Sequence, residues 1–199
     1  MTRAAAPALA LSAALLLAGC SSGGGGSDAA LPAGPSTAVL RARAALEPCP
    51  TLPSAQRARS AAGLPDVTLG CLGNGPSVRL STLTGVPAVV NLWAAWCAPC
   101  RQEVPALQRR QTAAAGRVRV LGVVTEDTAR DALDAAAHLG MHYPSVVDAS
   151  GAVKDRTGVT ALPLTFFVDA SGRAHRYVGP ALTYDRLREL VAQYFGVRV

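Results

Sequence analysis

An α/β fold, with a central mixed sheet and helices on both faces, is what this sequence of 199 residues predicts. Two apolar runs, Pro87–Trp93 and Val118–Val124, have the near-continuous hydrophobicity of buried strands. Between them the chain from about Cys97 to Gly116 reads as a helix, with Val104, Leu107 and Gln111 on one face. Strand, helix and strand in that order make a βαβ unit with a parallel pair. Leu164–Val168 and Ala174–Val178 then flank the turn Asp169-Ala-Ser-Gly172, a hairpin signal that adds antiparallel strands.

The remaining elements follow in chain order. Ala38 to Leu46 is rich in Ala and Arg and predicts a short helix, which Cys49-Pro50 and Pro53 break. Asp66 to Leu72 alternates like a strand, Gly73-Asn74-Gly75 turns, and Val78 to Leu80 returns as a second strand. Thr128 caps a helix that runs to Leu139, with Asp131 in its first turn and Gly140 as its stop. Tyr143 to Val147 is a short strand, and Thr183 to Phe195 is the last helix. No internal repeat is visible.

Composition narrows the function classes. Half the residues are hydrophobic and 16% are charged, which fits a packed domain and excludes a disordered polyelectrolyte. Net charge is +6, yet only Lys154 among the 19 basic residues is Lys. A bias so lopsided fits GC-rich coding. No run of basic residues of the kind a nucleic-acid arm needs occurs, and aromatics are 5%, too few for a base-stacking platform. Nucleic acid is therefore not an expected partner.

Residues 1–19 read as an export signal: Arg3 opens it, and Ala8–Ala18 is an apolar run broken only by Ser12. The run is shorter than the about 20 residues a bilayer span needs. It ends Leu17-Ala18-Gly19-Cys20, which resembles a bacterial lipobox and implies cleavage before Cys20 and lipidation of its thiol. Residues 20–36, with glycines at 23 to 26, are then a lipidated Cys and a flexible tether. Residues 37–63 form a leader segment, and the domain proper is expected over 64–199.

The chemistry is expected at Trp96-Cys97-Ala98-Pro99-Cys100, where a buried strand meets a helix. A cysteine at a helix N-terminus is held as thiolate by the macrodipole and the free N–H groups. Cys97 is therefore the attacking sulfur of disulfide exchange, and Cys100, one turn further in, is the resolving thiol. Pro99 stiffens the turn and withholds one donor.

The run Asn91-Leu-Trp-Ala-Ala-Trp-Cys-Ala-Pro-Cys100, followed by Arg101-Gln-Glu-Val-Pro105, resembles the active-site segment of thioredoxin-fold proteins, most closely the membrane-anchored extracytoplasmic TlpA/ResA group. Leu162-Pro163-Leu-Thr-Phe-Phe-Val-Asp169 resembles the cis-proline loop and following strand of that group, and Gly179 also fits. The resemblance covers about residues 64–199. It implies a cis Leu162–Pro163 bond facing Cys97, with Leu162, Pro163 and Trp96 as substrate contacts. Where cytoplasmic thioredoxin has a buried Asp, this chain has Asn91, which cannot shuttle a proton. Glu103 matches an acidic residue of the TlpA/ResA group and would take or return the proton of Cys100.

Cys49 and Cys71 remain. Four thiols besides Cys20 allow three connectivities. With Cys97–Cys100 assigned by the motif, Cys49–Cys71 is left as a structural disulfide, suited to an oxidising compartment. A zinc site on the same four cysteines is the alternative, although the first pair lacks the spacing of zinc ribbons. His138, His142 and His175 are scattered and read as surface or loop residues. No metal and no cofactor are expected.

The function so implied is that of a lipid-anchored thiol–disulfide oxidoreductase on the extracytoplasmic face of the cell membrane. Its partners would be exported proteins with thiols or disulfides, for instance apocytochrome c before haem attachment, and a membrane electron donor or acceptor. The rival is a non-catalytic tethered scaffold that presents a surface or holds copper.

Overall fold

The computed structural model describes residues 34–52, 62–114 and 116–197. The expectations for the export signal and for Cys20 lie outside these residues. Seven strands form one sheet in the order β2-β1-β5-β4-β3-β6-β7. They are β1 (Thr68–Cys71), β2 (Val78–Arg79), β3 (Ala88–Trp93), β4 (Arg119–Thr125), β5 (Ser145–Asp148), β6 (Leu164–Val168) and β7 (Ala174–Tyr177). β3, β4 and β5 are parallel neighbours, whereas β6 runs antiparallel to β3 and β1 antiparallel to β5. The sheet is mixed, and all six residues of β3 are buried.

Residues alternate along β3 between two cores, as the period of a strand requires. Val89 and Trp93 join one cluster; Ala88, Val90 and Leu92 join the other. Helices α1 (Thr37–Ala44), α2 (Ala98–Ala114), α3 (Ala129–Leu139) and α5 (Tyr184–Phe195) supply the first cluster through Leu40, Leu107, Leu133 and Leu187 among others. The second is covered by Val153 of α4 (Ala152–Thr157) and by Leu80 of a 3₁₀ turn at Leu80–Thr82.

Local signals set the helix ends. Thr128 Oγ1 accepts from Asp131 N at 3.0 Å, and Gly140, at φ +61°, closes α3 in the left-handed region. Thr183 caps α5 in the same way, accepting from Arg186 N at 3.3 Å.

The structure differs from the sequence expectations at two places. Leu80 leaves the second strand, and the chain turns there, where Thr82 Oγ1 donates to the Arg79 carbonyl at 2.8 Å. Asp66 and Val67 precede β1 rather than extend it; the Asp66 carboxylate instead pairs with Arg79 and accepts from Ser81 Oγ at 2.6 Å. Among the described residues of the expected leader segment, Leu40, Ala44 and Leu46 are buried in the first core.

Candidate active site

β3 delivers the chain to the site from a fully buried strand. Ala94 is still buried, and the backbone then surfaces, leaving Trp96 59% exposed. Cys97 dips back to 4% exposure, α2 begins at Ala98, and Cys100 is 1% exposed. Cys97 and Cys100 are joined as a disulfide with Cα atoms 5.3 Å apart. The Cys100 backbone N–H points at Cys97 Sγ from 3.2 Å. Of the first amides of α2, Pro99 contributes none, so this donor is the one aimed at the sulfur. When the pair is reduced, the same amide and the helix N-terminus favour negative charge on Cys97.

The Leu162–Pro163 bond is cis. β6 starts at the next residue, and its Leu164 pairs with Leu92 of β3, which sets Pro163 beside the end of the strand that feeds the dithiol. Leu162 is half-buried and packs against both cores. Trp96 stands on the exposed side, its indole N–H donating to the Glu126 carbonyl at 3.2 Å. Trp93 is wholly buried in the core.

Glu103 lies one helical turn beyond Cys100 on the same buried face of α2, 1% exposed. Its Oε1 accepts from Leu182 N at 2.8 Å, and its Oε2 accepts from the Asn91 amide at 2.9 Å. Asn91 also donates to Thr165 Oγ1 at 3.0 Å, across the β3–β6 pairing. Burial pushes the Glu103 carboxyl above its ordinary value, against the two hydrogen bonds, which favour the charged form. Tyr143 is buried nearby; burial and the Glu103 carboxylate both push its hydroxyl up. Asn91 thus holds the acid that the helix supplies.

Cys49 and Cys71 are disulfide-bonded, with Cα atoms 6.0 Å apart. The bond ties the segment after α1 to the end of β1, and β5 and β4 separate it from β3. The turn expected at Gly73-Asn74-Gly75 is the cradle of that segment. Cys49 N donates to the Asn74 carbonyl at 2.9 Å. Gly75 has φ +115°, and a Cβ there would come within 2.8 Å of Cys49 N, so only glycine fits. Because both cysteine pairs are bonded sulfur to sulfur, the four-thiolate zinc alternative is not assembled. Among the described residues no group of three or more His, Cys, Asp or Glu could hold a metal ion.

Two parts of the site escaped sequence reasoning. One is the pair of donors, Leu182 N and the Asn91 amide, on the Glu103 carboxylate; Leu182 is 79 positions away, and no local pattern marks it. The other is the β4–α3 loop, where Glu126 and Asp127 contact the turn before Cys97. A non-glycine residue at φ +53°, Glu126, is the structural mark of that loop.

A mixed sheet, a cis-proline ahead of β6 and a Cys-x-x-Cys disulfide opening α2 define a thioredoxin-fold protein with a redox dithiol. The AhpC/TSA family matches residues 62–175, more than half of the chain, and the protein belongs to that family. Among its relatives is the thiol:disulfide interchange protein DsbE homolog of Paracoccus denitrificans, 37% identical over 138 residues, covering 67% of this chain and 73% of the relative. The thiol:disulfide interchange protein DsbE of Xylella fastidiosa is 40% identical over 100 residues, 49% of this chain and 50% of that protein, so the chain matches about half the length of that relative. A solved structure of a secreted Mycobacterium tuberculosis disulfide oxidoreductase homologous to E. coli DsbE superposes with a TM-score of 0.58 at 26% identity, covering 64% of this chain and 96% of the other.

Proposed function

We propose that the protein is a thiol–disulfide oxidoreductase that exchanges disulfides with exported proteins, and that Cys97 is its nucleophile. The observation that carries the reading is the Cys97–Cys100 disulfide at the start of α2, with the Cys100 amide 3.2 Å from Cys97 Sγ. In the reducing direction the Cys97 thiolate attacks a substrate disulfide, a mixed disulfide forms, and one substrate sulfur leaves as thiolate. Cys100 then gives up its proton and attacks Cys97 Sγ. The second substrate sulfur leaves, and the Cys97–Cys100 bond is restored. Two electrons pass from the dithiol to the substrate; the oxidising direction is the same path reversed. Glu103, buried with a raised affinity for protons, is placed to receive the Cys100 proton and return it. Leu162, Pro163 and Trp96 form the wall along which the substrate chain lies.

The relatives' names and the TlpA/ResA resemblance support an extracytoplasmic setting. In it the domain is tethered by lipid on Cys20, a membrane protein supplies or removes electrons at the dithiol, and apocytochrome c thiols are the substrates. Among the described residues no helix is long and apolar enough to cross a membrane. Trapping tests the central claim. Cys100→Ser leaves the mixed disulfide on Cys97 unresolved, so partners accumulate on it in non-reducing gels; Cys97→Ser traps few. Equal trapping by the two variants overturns the assignment.

A further inference from the structure

The short turn between β3 and α2 carries Trp96 and ends at Cys97, and the backbone of Ala95 within it is held at both its N–H and its carbonyl. The Ala95 N–H donates to Asp127 Oδ2 at 2.6 Å. The Ala95 carbonyl accepts from Arg101 Nη1 at 2.6 Å. A carboxylate and a guanidinium thus bracket one residue, two positions before the attacking sulfur, and both bonds are charge-assisted. We infer that Asp127 and Arg101 form a clamp on Ala95 that fixes where Trp96 stands beside the dithiol, which makes Asp127 a positioning residue for disulfide exchange. This rests on the proposal that Cys97 attacks and Trp96 meets the substrate.

The two jaws come from different parts of the fold. Arg101 directly follows Cys100 on α2, so it moves with the dithiol helix. Asp127 stands on the β4–α3 loop, and that loop is itself braced. Asp127 Oδ1 accepts from Thr128 N at 2.7 Å, and Thr128 caps α3. Glu126 N donates to the Asp148 carbonyl at 3.1 Å, and the Glu126 carboxylate is paired with Lys154 of α4. Gly151 leaves room for that side chain, since a Cβ there would lie 2.9 Å from Glu126 Cγ. The Glu126 carbonyl then takes the Trp96 indole N–H. A tryptophan 59% exposed has little packing to hold it, so hydrogen bonds from this loop must set its orientation. Asp127 holds the backbone of the turn and Glu126 the ring.

Exchange with a protein disulfide needs the substrate chain and Cys97 aligned, and small displacements there cost large factors in rate. Attack by Cys97 on a small alkylating agent needs only the thiolate, which the Cys100 amide and the helix supply. Asp127→Ala therefore lowers kcat/KM for insulin disulfides about tenfold. Asp127→Asn has one oxygen; with it on the Ala95 amide and its NH₂ toward Thr128 N, the variant keeps the clamp while giving up the Thr128 brace, and its kcat/KM falls less than that of Asp127→Ala. Alkylation of reduced Cys97 by iodoacetamide is unchanged in both. Trp93 is buried, so the mobile part of the fluorescence anisotropy decay reports Trp96; it grows in Asp127→Ala and not in Asp127→Asn. Should Asp127→Ala fail to fold, Arg101→Ala removes the other jaw with the same expected signature. Parental anisotropy and insulin kinetics in Asp127→Ala, or equal losses in Asp127→Asn, overturn the clamp. A parent inactive on insulin overturns the oxidoreductase reading instead, and the anisotropy still decides the clamp.

Discussion

Replacing Glu103 by Gln tests the proton relay with almost no change of shape. The carboxylate has two oxygens and two donors: Leu182 N at 2.8 Å and the Asn91 amide at 2.9 Å. Glutamine has one oxygen, so whichever way its amide turns, one donor faces an NH₂. A buried donor left unpaired costs about 1–3 kcal/mol. In a domain of this size that lowers the thermal midpoint by roughly 2–12 °C. The pH dependence has a definite sign. Burial raises the Glu103 value above the ordinary 4.5, so the folded protein holds this proton at a pH where the unfolded chain has lost it. The stability it contributes is complete below the unfolded value and is lost as pH rises through the raised folded value. Gln has no such dependence, so the parent's midpoint falls relative to that of Glu103→Gln across that window. In exchange, loss of a proton acceptor for Cys100 slows resolution of the mixed disulfide by about a hundredfold, the scale of general acid–base catalysis. Insulin reduction followed across the acid range reads both effects, and the acidic limb of the parental profile disappears in the variant. A Glu103→Gln protein that keeps the parental rate and the parental limb refutes the assignment.

The Cys49–Cys71 bond, with a sequence separation of 22, contributes on the order of 3 kcal/mol by loop entropy. Cys49→Ala with Cys71→Ala is therefore expected to melt roughly 10 °C lower by circular dichroism, with insulin reduction intact below the melt; unchanged stability with lost exchange would instead make this pair part of the electron path. Cys20→Ala is expected to abolish labelling by radioactive fatty acid and membrane partitioning of the full chain, and a labelled Cys20→Ala protein would exclude lipidation there.

The dithiol was legible because its chemistry is local. Cys97, Pro99 and Cys100 lie within four residues, and the apolar run of β3 before them is unmistakable. The helix cap at Thr128 was legible for the same reason, being a side chain bonded to an amide three residues on. What escaped notice depends on contacts across the chain. α4 is six residues between Gly151 and Gly158, both at positive φ, too short to show a period. α1 was visible as a helix, but its burial against the core comes from tertiary packing, and its own pattern is barely amphipathic. Asn91 read as the loss of a proton-carrying acid; the structure gives it a different task, since it donates to Glu103 from the neighbouring element. Asp127 had no sequence signal at all, because its partner lies 32 positions away.

The two disulfides also bear on how the bonds are made. Both join cysteines that are neighbours in the order of synthesis: 49 with 71, then 97 with 100. In an exported chain that emerges N-terminus first, each cysteine meets its correct partner as the next thiol to arrive. An oxidant with no selectivity of its own would then produce the native set during translocation, and no isomerase would have to reshuffle it. The rule holds only if nothing precedes Cys49 in the queue. A free thiol at Cys20 would be the first one offered to Cys49, and capturing it would release Cys71 onto Cys97 and idle the dithiol. Acylation of Cys20, besides anchoring the domain, would remove that competitor before oxidation begins.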